Sequence, residues 1–268
     1  MSEPNHQSSI TLSFDDHGDL GRTARIVVEN QARLNVLNSS LITELTSNVN
    51  SLHDDERLRV LILSGAGERA FIGGADISEM VGLDSDSARS FITRLHNACE
   101  SLRKLPVPVI ARISGYCLGA GLEVAASCDL RVAASHSTFG MPEVRVGIPS
   151  VIEAALLPRL AGRGKAAQMV YTGESLTADE AEACGLVDRV VPQGQLDQAV
   201  AHWVESILQA GPRAIRLQKT LLADWDRLTL DEAIARGIDS FADAYRTDEP
   251  RRFMERFRAR KRLRSETS

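Results

Sequence analysis

Aromatic residues are scarce in this chain, 4% of 268 positions, so its core has to be built from Leu, Val, Ile and Ala. Cysteine is scarce as well. Cys99, Cys117, Cys128 and Cys184 have no CxxC spacing, and four thiols in a chain of this size fit a reducing compartment better than a disulfide framework. The six histidines form no HxxH or HExxH, so no metal site is expected. No apolar run approaches membrane-spanning length; stretches such as 60–63 and 107–111 are far too short. Residues 1–10 are polar and lack the charged-then-apolar order of an export signal, so a flexible N-terminus and a cytoplasmic location are expected. Positive charge is not in excess either: the net charge is −5, which argues against a general nucleic-acid binder. Neither GxxxxGK[ST] nor GxSxG occurs.

What is present alternates. Leu41, Leu45, Val49 and Leu52 recur at helical spacing. Residues 59–63 (RVLIL) read as a buried strand, ended by Ser64-Gly65-Ala66-Gly67. A helix is expected over 87–104, with Phe91, Leu95, Ala98 and Leu102 on one face and Pro106 and Pro108 as its stop. Strands follow at 107–113 and 130–133, separated by a Gly119-Ala120-Gly121 turn and an Ala-rich helix over 122–127. Strand–helix alternation of this kind indicates an α/β layer architecture. Thr177/Glu180 and Thr229/Glu232 have capping-box spacing, Gly185 sits at a C-cap position, and 187–191 reads as a last strand. Beyond about Leu196 the pattern is helical, with Ile234, Ile238, Phe241 and Tyr245 at helical intervals. The expected organisation is a flexible segment 1–10, an α/β body 11–195 and a helical region 196–268.

Five segments carry possible chemistry. Gly65-Ala66-Gly67-Glu68-Arg69-Ala70 fits a loose dinucleotide fingerprint, but Gly73-Gly74 would break the helix that fingerprint needs. Gly115 to Glu123 runs through a small-residue turn straight into a helix, where backbone N–H groups are left without intrahelical partners and can hold a developing oxyanion. Glu123 follows among Leu122, Val124 and Ala125, either partly exposed or buried for a reason. Gly73-Gly74-Ala75-Asp76 can likewise bring backbone N–H groups close to a ligand. Glu143, after Pro142, reads alone as a loop carboxylate. Residues 251–264 hold eight basic residues and one acid, open to reading as a solvated helix face, a nucleic-acid or membrane patch, or a site for a phosphate-rich ligand.

Taken in order, these segments resemble the crotonase family, the enoyl-CoA hydratase/isomerase group. Arg33-Leu34-Asn35-Val36-Leu37, AFIGGADISEM (70–80), Gly115 to Glu123, Cys128-Asp129-Leu130, Phe139 to Glu143, Val170 to Gly173 and Ala183 to Val187 carry the likeness. It implies a spiral of ββα units with a C-terminal helical region that assembles trimers, often paired into hexamers. It also implies an acyl-CoA thioester substrate, with coenzyme A as part of the substrate and no further cofactor, as in fatty acid β-oxidation. The thioester oxygen would sit between the backbone N–H groups of Ala75 and Ala120. Glu123 and Glu143 would be the acid/base pair for hydration, Glu143 the main acid/base and Glu123 its partner on the water. Arg33, Leu34, Asp76, Ile77 and Ser78 would line the coenzyme A channel, and Phe257 and Arg260 would cover it from a neighbouring subunit. The chain departs from the family's glycine-rich turn at Ser150-Val151-Ile152-Glu153. Glu153 is there either a helix N-terminal carboxylate or a third acid near the site, which would allow double-bond isomerisation or another acyl-CoA lyase or hydrolase reaction. A non-catalytic acyl-CoA- or RNA-binding protein using the basic tail is the reading from a different class.

Overall fold

The computed structural model describes residues 8–266, with side chains described through residue 259. The described chain opens on a hairpin, β1 (Ser9–Asp16) antiparallel to β2 (Arg22–Glu29). The expectation of a flexible 1–10 is therefore corrected at its end. Ser9 and Ile10 are strand, and Ile10 is 5% exposed; residues 1–7 lie outside the described residues. The signal is a period of two in Ile10, Leu12 and Phe14, with Ile10 buried, Leu12 against the core and Phe14 covered by Arg22, whose guanidinium stands 4.4 Å from the ring centroid.

After α1 (Ser39–Ser51), capped by the Asn38 side chain, one unit recurs: a long strand, a tight turn, a short strand, then a helix. β3 (Leu58–Gly65) and β4 (Ala70–Ile72) lead to α2 (Ile77–Met80) and α3 (Ser85–Lys104). β5 (Val109–Ile113) and β6 (Tyr116–Leu118) lead to α4 (Ala120–Ala126). β7 (Leu130–Ala134) and β8 (Thr138–Gly140) lead to two single 3₁₀ turns, Glu143–Val146 and Ile152–Leu156. The chain continues through α5 (Leu157–Leu160), α6 (Arg163–Thr172), β9 (Ser175–Thr177), α7 (Ala178–Ala183) and β10 (Arg189–Val191). The longer strands and the three-residue β10 join a six-stranded sheet in the order β1-β2-β3-β5-β7-β10, parallel from β2 onward. Short strands join a second sheet, β4-β6-β8-β9, parallel except at β9. Each unit thus adds one strand to each sheet, which is the ββα spiral that the resemblance implies.

Local causes follow the sequence. All eight residues of β3 are buried, as parallel strands covered on both faces must be. Helix α3 buries Phe91, Leu95, Ala98 and Leu102 on one face. It starts at Ser85, two residues before the expected start, because Asp84 and Ser87 close a capping box. Helix α4 starts at Ala120 instead of 122, with Gly119 as its N-cap. The Thr177/Glu180 box forms, and Gly185 takes φ +83° just past the end of α7.

Two compact units divide within α8 (Leu196–Gln209), the first ending at Val204 and the second starting at Glu205. The second holds α9 (Pro212–Trp225), α10 (Leu230–Ala244) and α11 (Glu249–Glu266). The buried Glu249 carboxylate accepts from the Arg213 and Ala214 N–H groups at 3.1 and 3.0 Å, capping the start of α9. On α10, Ile234, Ile238, Phe241 and Tyr245 are all exposed. No helix among the described residues is long and apolar enough to cross a membrane.

Candidate active site

A cavity of about 320 Å³ gathers the residues singled out in the sequence. Ala75, Ala120, Glu123 and Glu143 all line it. Its remaining walls are mostly apolar, with Met80, Phe91, Ile92 and Leu95 from α2 and α3 among them.

Ala75 is set by a parallel bridge to Leu37. The Leu37 N–H donates to the Gly74 carbonyl at 2.9 Å, and the Asp76 N–H donates to the Leu37 carbonyl at 2.8 Å. Leu37 thereby uses the residues on either side of Ala75 and leaves its N–H facing away from the bridge. Beyond it, the Asp76 carboxylate caps α2 through the Ser78 N–H at 3.0 Å and binds the Arg33 guanidinium bidentately at 2.7 and 2.9 Å. Burial pushes the Asp76 carboxyl up, but the Arg33 and Ser78 bonds outweigh it and hold the group below its ordinary range. Arg33 also donates to Ser78 Oγ at 3.2 Å, and Leu34, at φ +55°, accepts from the Gly73 N–H at 2.8 Å. Arg33, Asp76 and Ser78 are thus one network beside the cavity, Leu34 holds the cavity-lining Gly73, and the exposed Ile77 lines the cavity too.

Ala120 is placed by Gly119, whose φ of +52° and ψ of −120° only glycine adopts easily. The Gly119 N–H is tied to the Gly140 carbonyl at 2.9 Å, while the Leu122 and Glu123 N–H groups return to the Gly119 carbonyl. Among the described residues neither the Ala75 nor the Ala120 N–H has an acceptor. A Cβ on Gly119 would run into the Glu143 carboxylate. Gly119→Ala is accordingly expected to lower kcat by about 10²-fold, the order of cost for displacing a reacting group by an ångström. Steady-state kinetics on a variant whose circular dichroism matches wild type checks this; a loss below about threefold contradicts it.

The two carboxylates have different surroundings. Glu123, on α4, is 4% exposed, and its Oε1 accepts only a long bond from the Ala154 N–H, 3.3 Å. Burial, then the nearby Glu143 charge, push its carboxyl up to about 8, with Glu153 adding to the push against the Ala154 bond. Glu143, half-buried on the 3₁₀ turn after Pro142, accepts from the Ser150 hydroxyl at 2.8 Å. Removing a hydrogen bond to a charged group costs about 1.5–3 kcal/mol, so Ser150→Ala is expected to lower kcat by at least about tenfold. Ser150→Thr, which keeps the hydroxyl, should recover most of it. Equal losses in both variants would show that the hydroxyl is not what matters.

Glu153 is not among the residues lining the cavity. It is 2% exposed, and its Oε1 accepts from His96 Nδ1 at 2.9 Å and from the Arg103 guanidinium at 3.1 Å, both on α3. Its other oxygen has no partner among the described residues. Of the remaining candidates, Phe257 is 70% exposed on α11, and the Arg260 side chain lies outside the described residues. Ser150, His96, Arg103 and the Ala154 N–H are participants that residue patterns did not single out. The replacement of glycine by Ser150 is the one signal that pointed to any of them.

The family model described as enoyl-CoA hydratase/isomerase matches residues 22–264. The chain is 34% identical over 238 residues to the short-chain-enoyl-CoA hydratase of Clostridium acetobutylicum, covering 88% of this chain and 91% of that one. It is 34% identical over 237 residues to the crotonyl-CoA hydratase of Syntrophomonas wolfei, with the same coverage. The solved structure of an enoyl-CoA hydratase from Bacillus anthracis superposes with a TM-score of 0.88 at 30% identity, over 93% of this chain and 96% of that one.

Proposed function

The chain belongs to the enoyl-CoA hydratase/isomerase family and is an enoyl-CoA hydratase, and we propose that its cavity adds water across the 2,3 double bond of an enoyl-CoA thioester to give the 3-hydroxyacyl-CoA. The observation that carries this is the grouping of two carboxylates with two unpartnered backbone N–H groups around one mostly apolar cavity. Hydration requires that set of parts. A base takes a proton from the water as it attacks C3, an acid delivers a proton to C2, and donors hold the negative charge that builds on the thioester oxygen. The Ala75 and Ala120 N–H groups are the donors.

Glu123 and Glu143 are the acid/base pair. With its carboxyl pushed up to about 8, Glu123 keeps its proton near neutral pH in the substrate-free protein, so the site holds a proton it can deliver. Interacting carboxylates titrate as a pair, so the proton is shared property during turnover. In this reading Glu143 is the main acid/base and Glu123 its partner on the water. Proton count closes: the water gives one proton to the pair, the pair gives one to C2, and the hydroxide equivalent becomes the 3-hydroxyl.

Coenzyme A enters along the Arg33–Asp76–Ser78 network, and no further cofactor is called for. The exposed apolar face of α10 supports self-association, as a trimer or a pair of trimers. The four cysteines, none of them in a disulfide, support a cytoplasmic setting. Mass analysis of the product separates this reaction from its relatives. A product heavier by one water supports hydration, whereas an unchanged mass with a shifted double bond means isomerisation and overturns it.

A further inference from the structure

A second cavity, of about 340 Å³, adjoins the first. Ser150, Val151, Ile152, Ala154 and Ala155 form one side of it, and Ala166 and Val170 of α6 line it from another element. Its lining is largely apolar, with Arg163 and the exposed Tyr171 also present. Among the described residues, Val151 alone lines both cavities. The segment that carries Val151 touches both catalytic carboxylates, through the Ser150 hydroxyl on Glu143 and the Ala154 N–H on Glu123.

The segment is also held firmly. Glu153 is fastened to His96 and Arg103 of α3. Ile152 takes φ +38°, a left-handed conformation that a β-branched residue adopts only when its surroundings force it. Val151, extended just before it, therefore cannot swing aside freely.

We propose that Val151 is the partition between the catalytic cavity and a distal subsite for the tail of a longer acyl chain, so that its size sets the chain length this enzyme accepts. The inference rests on the reading that an acyl-CoA thioester occupies the first cavity. Once the thioester sits at Ala75 and Ala120 with C2 and C3 beside the two glutamates, the tail is left the apolar walls of that cavity, among them Met80, Phe91, Leu95 and Val151. Further methylene groups gain only where they leave water. The second cavity is an apolar space of similar volume, and Val151 is the one described residue that lines both. A protein segment as its occupant is less well supported, because the two cavities share Val151 as a wall, which ties the second to the substrate's own space.

The test compares kcat/KM for crotonyl-CoA and trans-2-decenoyl-CoA in wild type, Val151→Ala, Val151→Phe and Val151→Ala combined with Ala155→Phe. Ala155 lines only the second cavity. The decenoyl-to-crotonyl ratio should rise about tenfold in Val151→Ala, the order of gain from burying two methylene groups. It should fall in Val151→Phe, and adding Ala155→Phe to Val151→Ala should cancel the gain. A ratio that stays within about twofold across all four proteins overturns the partition. Should wild type turn over neither substrate, the hydratase reading fails separately. The same ratios read from the binding of butanoyl-CoA and decanoyl-CoA then decide the partition alone.

Discussion

Glu143→Gln lowers kcat for crotonyl-CoA hydration by roughly 10²–10⁴-fold, the usual worth of a positioned acid/base, while KM changes little. Gln matches Glu in shape and can still accept from the Ser150 hydroxyl, which stands 2.8 Å from the native carboxylate, so the 3₁₀ turn and its contact survive. What it removes is the ability to exchange a proton. Substrate grip is spared because it comes from elsewhere, from the Ala75 and Ala120 N–H groups and the apolar walls. A group needed only at the transition state affects kcat and kcat/KM alike and leaves ground-state binding intact. Stability should also hold, since Glu143 is only half-buried. Stopped-flow or steady-state kinetics together with a thermal melt check all three points. A variant that keeps more than about a tenth of the wild-type kcat would show that Glu143 is not a proton carrier.

Glu123→Gln should lose activity on the same scale and gain stability above about pH 5, an opposite pairing that few substitutions show. The gain follows from linkage. Below about 4.5 both the folded and the unfolded chain hold the Glu123 proton, and the group contributes no difference. Between 4.5 and about 8 the unfolded chain has released it while the folded chain retains it, so wild-type stability falls as pH rises. Above about 8 the folded chain carries a buried carboxylate beside Glu143, and the full penalty is present. A glutamine at this position has no proton to lose, and its amide oxygen can still accept from the Ala154 N–H. Each pH unit crossed in that window costs the wild type about 1.4 kcal/mol, and each kcal/mol moves Tm by about 2–4 °C in a chain of this size. The variant should therefore melt several degrees above wild type at about pH 8, with the gap closing toward pH 4.5. A gap independent of pH would mean that Glu123 is not held protonated. Wild-type activity should fall above about pH 8 for the same reason, as Glu123 loses its proton.

The candidate catalytic groups are legible in the sequence because each sits in a short contiguous motif whose order along the chain is informative. Glu123 and Ala120 share one helix start, Ala75 lies in AFIGGADISEM, and Glu143 follows a proline-fixed turn. Their meeting in one cavity is not legible from spacing alone. It depends on two sheets that grow in step, and the second is built of strands of three residues, too short to show a period of two. The long elements are easier to read. Helix α3 buries the four residues that its spacing puts on one face. The rejection of the dinucleotide fingerprint also holds at the residue level. Gly65 ends β3 and Ala70 begins β4, with a turn over 66–69 between them, pinned by the Asn35 side chain on the Ala66 and Ala70 carbonyls at 3.0 and 2.7 Å, and no helix follows directly.

The hairpin strand β1 is hidden because its serines, threonine and acids dilute an alternation in which only Ile10 is fully buried. Glu153 is hidden for a different reason. Its partners His96 and Arg103 lie 57 and 50 positions away, and no local pattern announces an ion pair of that range. Once formed, the pair turns a carboxylate that could have entered the site into the fastening of the segment that serves it. Ser150 shows the same limit. Its departure from glycine is visible in the sequence, but its bond to Glu143 requires the fold.

The most direct test of hydration by this site follows the ultraviolet absorbance of the conjugated enoyl thioester during incubation of the purified protein with crotonyl-CoA. Catalytic loss of the band with wild type, sharply reduced in Glu143→Gln, is the predicted result. A band that persists while crotonyl-CoA and longer enoyl-CoAs bind to the wild type would contradict hydration by the Glu123–Glu143 pair.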